Sequence, residues 1–163
     1  TVVGDEVWQL TWKDGTAVLR DRDTLLEKRR VDYDGEGWGL CAQPGRLVMS
    51  DGSAELIFRD PVTFDELGRV TVHRDGRAVS KLNELECAED GRVWANVWQT
   101  DEIVLIDPAR AVWRPGSTRL RCVIGCRGSD VDVLNGIARI PGTDRFLVTG
   151  KYWPTLFEVR FVE

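Results

Sequence analysis

A short phrase recurs four times along this chain: a charged residue, then aliphatic residues alternating with aromatic or polar ones. It reads Glu6-Val7-Trp8-Gln9-Leu10-Thr11-Trp12, Arg46-Leu47-Val48-Met49-Ser50-Asp51-Gly52, Arg92-Val93-Trp94-Ala95-Asn96-Val97-Trp98 and Arg145-Phe146-Leu147-Val148-Thr149-Gly150-Lys151, with starts 40, 46 and 53 residues apart. A strand-like phrase at that period points to small sheets stacked as blades or arrays, since one such sheet cannot bury both faces alone. The repeat also fixes which residues are equivalent. Trp12, Gly52, Trp98 and Lys151 each end the second strand of a unit. In a radial arrangement those positions converge, and a site is expected there.

The punctuation between phrases supports strands. Val18-Leu19-Arg20-Asp21, Leu56-Ile57-Phe58-Arg59-Asp60 and Val104-Leu105-Ile106-Asp107 are short apolar runs that end at Asp, with Pro next in two of them. Thr follows three residues after Asp21 and Asp60. An Asp side chain bonds the backbone two residues on and Pro presets φ, so this is a repeated tight turn. Asp14-Gly15, Pro44-Gly45, Asp90-Gly91 and Pro141-Gly142 mark hairpins at the other end of the units. Helical periodicity is absent beyond a turn or so, and the fold class is all-β.

The second unit runs over 38–40, 46–50, 54–58 and 69–73, and the third over 82–87, 93–99, 102–106 and a weaker strand near 118–123. Each has the four antiparallel strands of one propeller blade. The first unit lacks its innermost strand, because Glu6–Lys13 already reads as a second strand. The last, over 133–138, 145–151 and 156–161, stops after three. The expectation is a single domain, 1–163, holding two whole and two partial blades. Uncovered blade edges invite pairing, so two chains could join edge to edge as a homodimer.

Composition narrows the function classes. With 42% hydrophobic and 30% charged residues the chain can build an ordinary core. The net charge of −5 argues against nucleic acid or anionic lipid as a partner. No apolar run approaches the ~18–20 residues of a membrane span. Lys28-Arg29-Arg30 reads as a solvated strand face. Cys41, Cys87, Cys122 and Cys126 send no clear message: Cys122 and Cys126 suit a local disulfide or half a metal site, while small buried hydrophobes are the plainer reading for all four. With His73 the single histidine, neither a metal site nor a histidine-activated nucleophile is expected. Seven Trp against two Tyr imply amphipathic platforms as well as core.

Seven motifs in order then carry a resemblance. They are Gln9-Leu10-Thr11-Trp12-Lys13, Gly35-Glu36-Gly37-Trp38-Gly39-Leu40, Ser50-Asp51-Gly52, Leu82-Asn83-Glu84-Leu85-Glu86, Trp94-Ala95-Asn96-Val97-Trp98, Val133-Leu134-Asn135-Gly136-Ile137-Ala138 and Thr149-Gly150-Lys151-Tyr152-Trp153-Pro154. Together they closely resemble the plant-type and bacterial glutaminyl cyclases, or glutamine cyclotransferases, over essentially the whole chain. The resemblance implies a five-bladed β-propeller, here incomplete. It also implies a cofactor-free acyltransferase that turns the N-terminal glutamine of a peptide or protein into pyroglutamate and releases ammonia. Trp12, Trp38 and Trp98 match the substrate-binding tryptophans, Asn83 and Lys151 the catalytic polar groups. An exported protein, secreted or periplasmic, is implied as well, although the first residues of the chain do not read as a signal peptide.

The chemistry suits those residue types. The α-amine must attack its own side-chain amide carbon, so a flexible chain has to be folded into a ring-like pose. Holding that pose contributes roughly 7–11 kcal/mol, and rigid indole walls serve it well. Lys151 or Asn83 can donate to the oxygen that turns negative, and a carboxyl must move the amine proton. The family's glutamate, in a Phe-Gly-Glu-Gly-like motif, is expected a couple of residues ahead of Thr1, so the chain reads as N-terminally truncated. No other carboxylate is an evident substitute. In a regular strand Glu84 points away from Asn83, and in its Gly-rich turn Glu36 reads as solvent-exposed. A truncated, non-catalytic propeller that binds a peptide or protein is the alternative. Trp8, Trp94, Trp113 and Trp153 read as packing, Asn135 as a structural turn residue.

Overall fold

The computed structural model describes residues 1–110, 112–113 and 131–161, the pair 112–113 by backbone alone. They form four sheets stacked in chain order, antiparallel except for one parallel pairing in the third. The first is β1 (Val2–Val3), β2 (Glu6–Leu10), β3 (Thr16–Asp21) and β4 (Glu27–Asp32). The second is β5 (Gly39–Gln43), β6 (Arg46–Ser50), β7 (Glu55–Arg59) and β8 (Glu66–Thr71). The third holds β9 (His73–Arg74), β10 (Arg77–Ala78), β11 (Leu82–Cys87), β12 (Val93–Val97), β13 (Glu102–Asp107) and β14 (Val112–Trp113), in the order β10-β9-β14-β13-β12-β11. The fourth is β15 (Leu134–Arg139), β16 (Arg145–Gly150) and β17 (Phe157–Arg160). The architecture is the all-β, incomplete propeller that the repeat predicts, and no described helix is long and apolar enough to cross a membrane.

Alternation along the second strands builds the stack. Leu47 and Met49 of β6 face the first sheet, joining Trp8, Ala17, Leu19, Ile57 and Phe64 in one buried cluster. Val48, between them, faces the third sheet and packs with Leu85, Val93, Ala95 and Val104. Trp94 of β12 points the other way, onto Ile137, Phe146 and Val148 of the fourth sheet. Successive side chains of β12 enter two different cores, which is why the strand is buried throughout, its polar residue Asn96 included. Trp8 and Trp94 are therefore packing residues, 1% and 8% exposed. The Trp8 indole N–H is satisfied by Pro61 O at 3.0 Å.

The repeated turn has the expected mechanism. Asp21 Oδ1 accepts from the backbone N–H groups of Asp23 and Thr24, and Asp60 Oδ1 from those of Val62 and Thr63. Each turn ends in a left-handed residue, Leu25 at φ 58° and Phe64 at φ 69°. Phe64 uses that bend to insert its ring between Trp8 and Tyr33, with centroids at 4.7 and 5.7 Å.

Four expectations need correction. The first sheet does have an innermost strand: the two residues of β1 pair with Val7 and Glu6. His73 does not close the second sheet. It lies half-buried in β9, which pairs with β10 and, in parallel, with β14 of the third sheet. The fourth strand against β13 is Val112–Trp113, while the strand expected near 118–123 lies outside the described residues, as do Cys122 and Cys126. Cys41 and Cys87 are not merely small buried hydrophobes. They form a disulfide with Cα atoms 5.4 Å apart, tying β5 to β11 and so the second sheet to the third. Lys28, Arg29 and Arg30 are exposed on β4, as expected.

Candidate functional site

The innermost strands carry the site because two of them are broken in the same way. In β11, Leu82 pairs with Val97 and Leu85 with Ala95, so Asn83 and Glu84 both stand opposite Asn96. In β15, Leu134 pairs with Gly150 and Ile137 with Val148, which leaves Asn135 and Gly136 opposite Thr149. A bulge of this kind re-aims side chains that regular pleating would have turned away. The two asparagines at equivalent bulge positions, Asn83 and Asn135, then line one cavity.

Neighbouring sheets hold these bulges. The Ser50 hydroxyl donates to Asn83 O. Gly39 passes so close that a Cβ there would stand 2.2 Å from the same oxygen. Asn96 Oδ1 accepts from Gly136 N at 3.1 Å, and Glu84 Oε2 from Ile137 N at 2.8 Å. Ser50, Asn83 and Asn96 are all buried polar residues. Buried polar groups are tolerated where they are bonded; here the Ser50 hydroxyl and Asn96 Oδ1 bond from sheet to sheet, while Asn96 Nδ2 has no partner among the described residues.

The cavity has a volume of about 270 Å³ and is lined by Trp12, Gly37, Trp38, Asn83, Trp98, Asn135 and Lys151. All five residues singled out in the sequence are among them. Trp38 and Trp98 meet edge to face, centroids 5.4 Å apart at 85°. Gly52, at φ +84°, lies under the Trp38 ring, and a Cβ there would reach it at 2.6 Å. Gly52 is the second sheet's equivalent of Trp12, Trp98 and Lys151, so the repeat positions do converge. Lys151 is not inside a strand, however. β16 ends at Gly150, and Lys151 is exposed in the following turn. Its backbone is pinned through Lys151 N to Val133 O and Asp132 N to Lys151 O, both at 2.9 Å. Left-handed Lys81, Gln99 and Tyr152, at φ 67°, 64° and 60°, set the loops around Trp98 and Lys151. Strained backbone of this sort clusters at functional sites.

Two residues were misjudged from sequence. Glu36 is half-buried rather than fully solvated, and its Oε2 accepts from the indole N–H of both Trp12 and Trp38, each at 2.8 Å. One carboxylate oxygen thus fixes two of the three tryptophans. The charge-assisted character of both bonds makes them stronger than neutral ones. Asn135 is more than a turn residue, since its side chain lines the cavity. Its Oδ1 is inaccessible and without a partner among the described residues. Trp153 is packing: its indole donates to Asp132 O at 2.8 Å. Of Trp113 the structure describes only the backbone.

Glu84 borders a broader adjoining cavity of about 690 Å³ that shares Trp12, Gly37 and Trp38. Burial pushes its carboxyl up to about 8; Ile137 N–H opposes that shift and Glu86 adds to it. Burial also raises Glu86, with the Arg139 backbone and guanidinium pulling the other way. Among the described residues, no group of three or more metal-ligating side chains comes together.

Comparison with known proteins gives this geometry a family. The family model described as glutamine cyclotransferase matches residues 1–161. The chain belongs to the glutamine cyclotransferase family. It is 35% identical over 164 residues to a glutaminyl-peptide cyclotransferase of Arabidopsis thaliana, covering 98% of this chain and 51% of that protein. The chain thus spans about half the length of this curated relative. Among solved structures, Myxococcus xanthus glutaminyl cyclase superposes with a TM-score of 0.86 at 40% identity, over 99% of this chain and 70% of that one. Kuenenia stuttgartiensis hydrazine synthase superposes with a TM-score of 0.61 at 11% identity, over 96% of this chain and 43% of that one, which is a likeness of fold alone. The chain therefore shares its sheets with a glutaminyl cyclase of known structure.

Proposed function

We propose that the cavity binds the N-terminal glutamine of a peptide or protein and that the chain acts in glutaminyl-peptide cyclotransfer. The observation that carries this reading is the convergence of Trp12, Trp38, Asn83, Trp98 and Lys151 on one small cavity. Ring closure joins the α-amine nitrogen to the side-chain amide carbon, passes through a tetrahedral oxyanion, and expels the amide nitrogen as ammonia. Trp38 and Trp98, at 85° to one another, form a corner that suits a side chain folded back on its own backbone. Lys151 and Asn83 are assigned to the developing oxyanion, the lysine as a charged donor and the asparagine as a neutral one. Trp12, held by Glu36, covers the solvent side.

No residue lining the cavity among those described bears a carboxyl group, so the reading assigns binding and oxyanion roles and leaves the proton carrier unassigned. The test measures both functions together. A glutaminyl peptide should quench indole emission, and the same peptide acetylated at its amine should bind far more weakly. Where ammonia is released, Lys151→Met should lower turnover by roughly 10²–10³-fold, the usual cost of one oxyanion donor. Binding without ammonia release would mark a peptide-binding module. Turnover untouched by Lys151→Met would remove the role given to Lys151.

A further inference from the structure

The chain contains four lysines, Lys13, Lys28, Lys81 and Lys151. Lys28 is ion-paired with Glu6 at 2.6 Å. The other three gather at the cavity. Lys151 lines it. Lys13 Nζ stands 4.3 Å from the ring centroid of Trp12. Lys81 Nζ stands 5.5 Å from that of Trp98 and donates to Gln99 Oε1 at 2.7 Å. All three are exposed, and none has a carboxylate partner among the described residues. In a chain of net charge −5, such a concentration of unpaired cations around an aromatic hollow needs a reason.

The neighbouring carboxylates are bonded to neutral N–H groups and not to these lysines. Glu36 Oε2 accepts from two indoles. Asp51 Oδ1 accepts from Ser53 N, and Asp132 Oδ1 from Val133 N, each within its own turn. The lysines are also held in place by more than their stems. Lys81 is left-handed, and its backbone N–H and C=O bond Gly52 O and Trp98 N at 2.9 Å each. Lys13 lies over the indole that Glu36 anchors. An indole face beneath an ammonium adds cation–π attraction and lowers the freedom the lysine would lose on pairing.

Resting on the glutamine reading above, we propose that this rim selects glutaminyl peptides with a carboxylate in the one to three residues after the glutamine. With the glutamine side chain in the corner that Trp38 and Trp98 form, the residues after it would leave the cavity past Trp12 and Trp98, and so past Lys13 and Lys81. An aspartate or glutamate side chain and the free C-terminus of a very short peptide offer the same chemistry there. Exposed ion pairs are individually weak and screened by salt, so the selection is modest. Two such contacts give about threefold to tenfold at low ionic strength, and little in high salt.

The test uses stopped-flow quenching of indole emission, which reads binding before any turnover. The peptides are Gln-Glu-Ala-amide, Gln-Ala-Ala-amide, Gln-Lys-Ala-amide and Gln-Ala with a free C-terminus, with acetylated Gln-Ala-Ala-amide as control. The acidic peptide should bind about threefold to tenfold more tightly than the neutral amide, and the basic one more weakly. Free-carboxylate Gln-Ala, set against Gln-Ala-Ala-amide, tells a C-terminal source from a side-chain source. The preference should collapse in concentrated salt and in the double variant Lys13→Gln/Lys81→Gln, whose affinity for the neutral amide should stay unchanged. Equal binding of the three amides, or a preference that survives the double variant, overturns the proposal while leaving the glutamine reading intact. Failure of every glutaminyl peptide to bind better than the acetylated control overturns both.

Discussion

Glu84 offers a quantitative test of the bulged inner strand. The bulge turns its carboxyl into a half-buried place between sheets, where the loss of solvent moves it from 4.5 to about 8. In the unfolded chain the same group loses its proton near its ordinary value. Between those two values the folded state holds a proton that the unfolded state has released. Stability contributed by this group is therefore full below about pH 4.5 and is lost as pH rises toward 8. At about 1.4 kcal/mol per pKa unit, the loss is on the order of 3–5 kcal/mol. Glu84→Gln keeps an oxygen for Ile137 N–H and cannot ionise. Urea unfolding should find the two proteins within about 1 kcal/mol at pH 5 and the variant more stable by about 3–5 kcal/mol at pH 9. Glu86, also raised by burial, titrates in both proteins, and only its coupling to Glu84 enters the difference. Parallel pH profiles for the two proteins would refute the buried placement of Glu84 and the bulge that produces it.

Two further outcomes follow from the same geometry. Glu36→Ala removes the acceptor shared by Trp12 and Trp38, and because the site is partly exposed the loss of stability should be only about 1–2 kcal/mol. The sharper effect should be a red-shifted indole emission and roughly tenfold weaker binding of a glutaminyl peptide, with Glu36→Gln intermediate; unchanged emission would show that the carboxylate does not hold the indoles. Replacing Cys41 and Cys87 by Ser opens a loop spanning a sequence separation of 46 residues, which chain entropy values at about 4 kcal/mol. Calorimetry should show a corresponding drop in Tm, and an unshifted Tm would mean the bridge is absent in solution.

What the sequence made legible was whatever local chemistry decides. The Asp21 and Asp60 turns could be read because an Asp side chain and the backbone two or three residues on suffice to make them. Trp8 and Trp94 could be read as packing because they hold equivalent strand positions in the repeat. The convergence of Trp12, Gly52, Trp98 and Lys151 followed from their equivalence in the repeat, and Asn83 and Trp38 from motif resemblance. What stayed hidden depends on contacts between sheets. Cys41 and Cys87 meet only because β5 and β11 stack. Glu36 looked solvated because its two partners lie in different units, at Trp12 and Trp38. Glu84 does stay out of the cavity that Asn83 lines, but its bond to Ile137 N in the next sheet depends on the bulge and could not be read from regular pleating. Asn135 showed one available signal: Leu82-Asn83-Glu84-Leu85 and Leu134-Asn135-Gly136-Ile137 are the same phrase, and their alignment would have placed both asparagines together.

The most direct measurement is a crystal structure of the chain soaked with a glutaminyl peptide. The account predicts the glutamine side chain in the corner between Trp38 and Trp98, its amide oxygen within hydrogen-bond reach of Lys151 Nζ or Asn83 Nδ2. A peptide seated elsewhere, with that corner filled only by water, would contradict it.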